Sequence, residues 1–205
     1  MAEQNRKRLK QITVICLALV VLLTGAEIFL RKYYGFCDTV LMKEDPDFEY
    51  IAQPDQKRFR FRNNVQYNSL SMRGEEVDTT AVIILGFGDS VLNGGVQTDQ
   101  DCLASTLLSD TLTRLKGEKV QFLNISAGSW GPDNCFAYLK KNGNFGATHI
   151  ILFVSSHDAY DNMTFQKHVD VHESFPSNQY RFAIWELVER YLYPRIKKVV
   201  VSQIK

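Results

Sequence analysis

The sequence predicts a mixed α/β protein, in which helices cover both faces of a parallel sheet behind an N-terminal membrane-targeting helix and a small strand-containing lead-in. Three observations predict it. Residues 12–30, ITVICLALVVLLTGAEIFL, carry one charge, Glu27. Short apolar runs at 81–87 (AVIILGF) and 148–154 (THIILFV) have the pattern of buried parallel strands, and 119–126 (KVQFLNIS) reads as a strand between them. Segments of helical period lie between them. The order therefore reads β-α-β-α-β with short connections, which builds a parallel sheet through right-handed crossovers.

The composition narrows the function classes. Of 205 residues, 45% are hydrophobic and 23% charged, an ordinary globular mix. Twenty-four basic residues against 23 acidic ones leave a net charge of +1. That balance makes no electrostatic case for a nucleic-acid partner. Cys16, Cys37, Cys102 and Cys135 form no CxxC pair, which excludes a zinc ribbon and a disulfide scaffold. Neither a metal nor a cofactor is expected.

The N-terminal segment is a membrane address. Arg6, Lys7, Arg8 and Lys10 precede the apolar run, and Arg31 and Lys32 follow it. Nineteen residues at ~1.5 Å each nearly cover a ~30 Å hydrocarbon core, and a span in lipid must be helical to pair its own backbone. The basic cluster places the N-terminus in the cytoplasm and the following domain outside it. A second reading is a signal peptide cleaved after Ala26, where Thr24, Gly25 and Ala26 form a small-residue site; the product is then secreted or periplasmic. Export permits a disulfide among Cys37, Cys102 and Cys135, and spacing does not choose the pair.

Three divisions are expected: a cytoplasmic tail and anchor over 1–32, an extracytoplasmic lead-in over 33–80, and an α/β domain over 81–205. In the lead-in, Phe59, Arg60, Phe61 and Arg62 alternate apolar and basic, as in a half-buried strand with a solvated basic face. Val65, Gln66 and Tyr67 are its hairpin partner across Asn63 and Asn64. In the α/β domain, Leu103, Leu107, Leu108, Leu112 and Leu115 recur at helical spacing, with Asp101 near the N-cap. Gly131, Pro132 and Asp133 open a second helix that runs to about Lys141. A last amphipathic helix over 182–193 places Trp185, Val188 and Leu192 on a core-facing stripe, with Glu186, Glu189 and Arg190 outside, and Pro194 stops it.

Ligands of an open α/β sheet bind at the carboxyl ends of its strands. Three polar motifs fall there: Gly88, Asp89 and Ser90 after the first strand, residues 124–131 after the second, and residues 155–158 after the third. With these, FGDSVLNGG at 87–95 resembles the first sequence block of the SGNH (GDSL-type) hydrolases. The resemblance implies a three-layer α/β/α, flavodoxin-like fold with Ser90 as nucleophile. NISAGSWGPDN at 124–134 resembles the second block. There the family's oxyanion-hole glycine corresponds to Ser129, beside Gly128, and a backbone N–H still donates after that change unless the glycine was needed for a positive φ. SSHD at 155–158 stands where the family has G-x-N-D, so His157 replaces the oxyanion-binding asparagine with a ring N–H donor, and Asp158 follows it. Asp89 reads as a residue that bonds local backbone. NSLSMR at 68–73 is similar to the lead-in of exported members.

The implied activity is ester hydrolysis or O-acyl transfer outside the cytoplasm, on an acyl-ester substrate such as an acylated polysaccharide. The family's general base is the histidine of a late D-x-x-H block. His149, His157, His168 and His172 are the histidines of this chain, and none stands in that pattern. His149 heads the third strand, at the end away from the site. His168 and His172 lie in a loop, where Asp170, Val171 and His172 read D-x-H. The sequence therefore reads as an incomplete family fold with three parallel strands. A non-catalytic, membrane-anchored module or a truncated fragment of such an enzyme is the alternative, and a base from a partner chain stays open. A phosphate binder using Gly94 and Gly95 is disfavoured, because those glycines do not open a helix directly.

Overall fold

A computed structural model describes residues 2–158 and 160–197. The chain forms two compact units, Asp38–Gln179 and a second made of Met1–Cys37 with Tyr180–Lys205.

The Asp38–Gln179 unit begins with two antiparallel hairpins. Strand β1 (Met42–Asp45) pairs with β2 (Glu49–Ala52), and β3 (Gln56–Arg60) with β4 (Asn63–Tyr67). The second hairpin turns at Phe61 and Arg62, not at Asn63 and Asn64. Both turn residues have positive φ, 51° and 70°, as a two-residue turn matched to strand twist requires. Asn63 and Asn64 are thereby drawn into β4, paired with Arg60 and Phe59. Arg60 is buried, contrary to the solvated basic face expected of this strand.

The parallel sheet follows as predicted in order and position. Strand β5 (Val82–Gly88) lies between β6 (Val120–Ser126) and β7 (His149–Leu152), both parallel to it. Helix α2 (Ser90–Asn93), helix α3 (Ala104–Lys116) and helix α4 (Pro132–Asn142) make the connections. Ile51, Val65 and Met72 of the lead-in share one buried cluster with Leu85, Ile125, Trp130 and Tyr138 of the α/β part.

Two local expectations about α3 change. A 3₁₀ turn (Gln100–Cys102), capped by Asp99, precedes it, and Leu103 rather than Asp101 stands at its N-cap. Leu107 and Leu115 are exposed. The helix instead meets β6 through hydroxyls. The Val120 N–H donates to Thr113 Oγ1 at 3.0 Å and the Phe122 N–H to Ser109 Oγ at 2.9 Å, while Asn124 Nδ2 donates to Ser105 Oγ at 3.2 Å. The Arg73 N–H donates to the Asn124 carbonyl at 2.9 Å. An edge strand must satisfy its outward backbone groups, and the Thr113 and Ser109 hydroxyls with the Arg73 N–H do so for β6.

Strand β7 departs from the sequence reading. All four of its residues are exposed, and so are Phe153 and Val154 beyond it. An apolar run of this kind fits a doubly covered strand, but β7 is the sheet's outer strand on that side and no described element covers it. Pattern alone reports what a strand is suited to bury, not what is there to bury it.

In the other unit, α1 (Ala2–Tyr34) is continuous through residues 24–26 and includes an apolar stretch long enough to cross a membrane, with none of that stretch buried. A signal sequence has the same character. Gly35, at φ 67°, ends the helix, with N–H bonds from Gly35 to Arg31 O and from Phe36 to Leu30 O. Helix α5 (Ala183–Glu186) runs into a π-type segment (Leu187–Leu192), and residues 193–197 stay helical. Pro194 therefore does not stop it, because the wider π turn just before relieves the clash and missing hydrogen bond that proline brings. The expected apolar stripe does not face a core: Trp185 is 60% exposed and Val188 and Leu192 are exposed too, while Glu186 is fully buried and Glu189 is outside as expected.

Gly131, the N-cap of α4, is closely packed against backbone. A Cβ there would lie 1.8 Å from the Asp161 carbonyl oxygen, a backbone atom that cannot step aside alone. Gly131→Ala is expected to destabilise the protein by about 1–3 kcal/mol, the usual cost of overpacking, read as a lower unfolding midpoint in denaturant.

Candidate functional site at the carboxyl end of the sheet

Register brings the three polar motifs to one end of the sheet. Gly88 pairs with Ser126 at the carboxyl ends of β5 and β6, and Phe87 pairs with Leu152 of β7. The Phe153 N–H donates to the Phe87 carbonyl at 2.8 Å, so residues 155–158 leave the sheet beside the Gly88 turn.

Asp89 caps α2: its Oδ1 accepts the Val91 N–H at 2.8 Å. Ser90 is the first residue of that short helix and is exposed. Neither its hydroxyl nor its backbone N–H has a hydrogen-bond partner among the described residues. Gly94, at φ 71°, closes the helix with an N–H bond to the Ser90 carbonyl at 3.1 Å.

What holds Ser90 in place lies beneath it. Asn93 Nδ2 donates to the Ser126 carbonyl at 2.9 Å and to Ser126 Oγ at 3.2 Å, and its Oδ1 accepts the Tyr67 hydroxyl at 3.0 Å. Ser126 Oγ in turn donates to Asn124 Oδ1 at 2.5 Å, and Asn124 Nδ2 reaches the Leu92 carbonyl at 2.9 Å. All three side chains are buried, so α2 is bonded to β6 through a closed polar chain. Arg73, also buried, wraps the outgoing loop: its guanidinium donates to the carbonyls of Asn93, Gly95 and Thr98 and to Gln100 Oε1. The NSLSMR segment holds this arginine, and sequence reasoning assigned it no role.

Ser129 sits in the left-handed region at φ 58°. Ser129 thus stands where glycine's conformational freedom matters, and serine bears a cost of about 1–2 kcal/mol there. Tyr50 of β2 clamps the turn from both sides. Its hydroxyl donates to the Gly128 carbonyl at 2.7 Å, and its own carbonyl accepts Trp130 Nε1–H at 2.9 Å. Burial pushes the Tyr50 hydroxyl well above its ordinary pKa, which keeps it a donor. The Ser129 N–H, like that of Ser90, has no acceptor among the described residues. The sequence offered no sign of Tyr50, because its contact is with backbone 78 residues away.

In the third motif Asp158 is buried and accepts the Ser155 N–H at 2.5 Å and the Ser155 hydroxyl at 3.1 Å, closing a small turn. His157 stands on that turn, exposed. His168 lies against the rings of Tyr50 (5.0 Å) and Phe175 (6.3 Å). Its loop is anchored by Glu49, which accepts the N–H groups of Thr164 and Phe165. Burial works against the Glu49 carboxylate, but those two N–H groups, Asn134 and nearby His168 outweigh it and hold the pKa low. His172 Nδ1 accepts the Ser174 N–H at 3.2 Å. No histidine bonds Ser90 among the described residues.

Cys16, Cys102 and Cys135 are free thiols, and burial pushes the Cys135 thiol up to about 12. Grooves of about 490, 370 and 510 Å³ open elsewhere on this unit, and Ser90, Ser129 and His157 line none of the three. No protein-family model, curated protein or solved structure matches the chain.

Two substitutions should move stability in opposite directions. Ser129→Gly releases the left-handed strain and raises stability by about 0.5–1 kcal/mol after glycine's own entropy cost. Tyr50→Phe removes the bond to Gly128 and lowers stability by about 1 kcal/mol. Denaturant midpoints of the detergent-solubilised full chain measure both.

Proposed function

We propose that the chain presents an SGNH-type serine site for ester hydrolysis or O-acyl transfer outside the cytoplasm, with acylated glycans as the substrate class. The observation that carries this reading is a pair of unpartnered backbone N–H groups, on Ser90 and Ser129, at the carboxyl ends of adjacent parallel strands. An acyl carbonyl under attack by Ser90 Oγ develops negative charge on its oxygen. Preorganised donors at that point are worth roughly 2.7–4 kcal/mol each when deleted. Ser90, Ser129 and the His157 ring N–H are the donors in this reading. The spatial order second-first-third of the parallel strands supports it, being the start of the flavodoxin-like order. The exposed position of Ser90 suits an ester carried on a polymer better than a small molecule enclosed on all sides. In this reading α1 crosses the membrane with its basic N-terminus in the cytoplasm.

One observation favours a second reading, a non-catalytic anchored module. A serine hydroxyl needs a base to take its proton, and no described residue bonds Ser90 Oγ. Loss of the base from a comparable triad costs about 10⁶ in turnover, which leaves an oxyanion hole with residual activity only.

A fluorophosphonate probe separates the two. Covalent labelling of the full chain that disappears in Ser90→Ala supports the serine site, and equal labelling of both proteins removes the nucleophile assignment. Ser90-dependent hydrolysis of a short-chain aryl ester would exclude the non-catalytic reading.

A further inference from the structure

The helix over residues 183–197 has its faces the wrong way round for a helix in water. Toward α1 it turns Ala183 and Glu186, both fully buried. Glu186 accepts the Cys37 N–H at 2.6 Å and pairs with Arg190 at 3.2 Å. Outward it turns Phe182, Trp185, Val188, Leu192, Tyr193 and Ile196, all exposed. A soluble amphipathic helix buries such residues and leaves glutamate outside.

The position of this face relative to α1 says what covers it. Glu27, the one charge in the apolar run, accepts the N–H groups of Ala183 and Ile184 at 2.8 and 3.0 Å and the Arg31 Nε–H at 2.7 Å. An acidic group at membrane depth needs paired donors of this kind. The second helix therefore starts within one turn of Arg31 and Lys32, where the apolar run of α1 gives way to basic and aromatic residues. Arg31 also donates to the Arg181 carbonyl at 2.5 Å, and the Phe36 and Tyr191 rings meet at 5.6 Å. Tryptophan and tyrosine favour the headgroup level, where an apolar ring and a polar N–H or O–H are both satisfied. Arg181, Arg195 and Lys197, all exposed, supply positive charge along the same segment, while Arg190 is committed to Glu186. Its one exposed acid among the described residues is Glu189.

We infer that residues 182–197 are a second membrane contact: an interfacial helix whose Phe182, Trp185, Leu192 and Ile196 face enters the headgroup–acyl boundary of the bilayer that α1 crosses, with its basic residues on anionic headgroups. This rests on α1 being inserted in that bilayer. The anchor is then two-part, a span plus a collar held to the span's end by Glu27 and Glu186. Apolar burial and charge attraction act together in such helices.

Tryptophan fluorescence tests it, because the chain has two tryptophans and the other, Trp130, is 1% exposed in the Asp38–Gln179 unit. Full-length wild type and Trp185→Phe are reconstituted in phosphatidylcholine–phosphatidylglycerol vesicles, with and without bromine on the upper acyl chain. The emission difference between the two proteins reports Trp185 alone. The expected result is loss of that difference emission in brominated vesicles and its protection from aqueous acrylamide. Emission untouched by bromine and quenched by acrylamide places the face in water and overturns the inference. Emission reached by neither quencher means that protein covers the face, and overturns it as well. A chain washed off the vesicles by alkaline carbonate instead fails the spanning reading of α1, so the two failures are distinguishable.

Discussion

Asn93, Ser126 and Asn124 are all buried, so their polar groups had to find partners inside the protein, and they found one another. That chain of hydrogen bonds couples a four-residue helix to a seven-residue strand. A helix as short as α2 has no stability of its own, since nucleation costs more than a single turn returns. Asp89 caps it from the front, Gly94 closes it behind, and Arg73 gathers the carbonyls of the loop that leaves it. The orientation of Ser90 depends on all of these. Tyr50 does for the Ser129 turn what Asn93 does for Ser90. Both anchors draw on the lead-in strands, through Tyr50 and Tyr67, which is why the hairpins and the sheet share one core.

The sheet is asymmetric in how its outer strands are finished. Beside β6 stand Ser105, Ser109 and Thr113, whose hydroxyls satisfy its backbone and its asparagine. A helix that meets a strand edge needs short hydrogen-bonding side chains there, and that requirement explains why the leucines of α3 are partly turned to solvent. Beyond β7 no described element plays the same part, and Ile150, Ile151 and Leu152 stay exposed. The same apolar pattern thus has two outcomes, set by what the rest of the chain places alongside.

A comparable inversion governs the unit that contains α1. Two glutamates, Glu27 and Glu186, are each satisfied by backbone N–H groups of a neighbouring segment and by an arginine one turn on in its own helix. Burying a carboxylate is costly without such partners, so these bonds dictate which face of the 183–197 helix turns inward. The aromatic and aliphatic residues are left facing out because the inner face is already committed.

Much was legible from residue order alone. The membrane-length helix, three parallel strands, the helix opening at Pro132 and the meeting of three polar motifs at one end follow from hydrophobic period, from turn residues and from the rule that ligands bind at strand carboxyl ends. These are local properties, and one sequence window decides each. What only the tertiary structure decided involves partners far apart in the chain. Arg60 is buried rather than solvated, Tyr50 reaches Gly128 across 78 residues, and Ser129 adopts a left-handed φ that no neighbour in sequence demands. The 183–197 helix turns its apolar stripe outward because Cys37 and Glu27, about 150 positions away, supply and demand its hydrogen bonds. Periodicity tells which residues share a face; only the packed chain tells which way that face points.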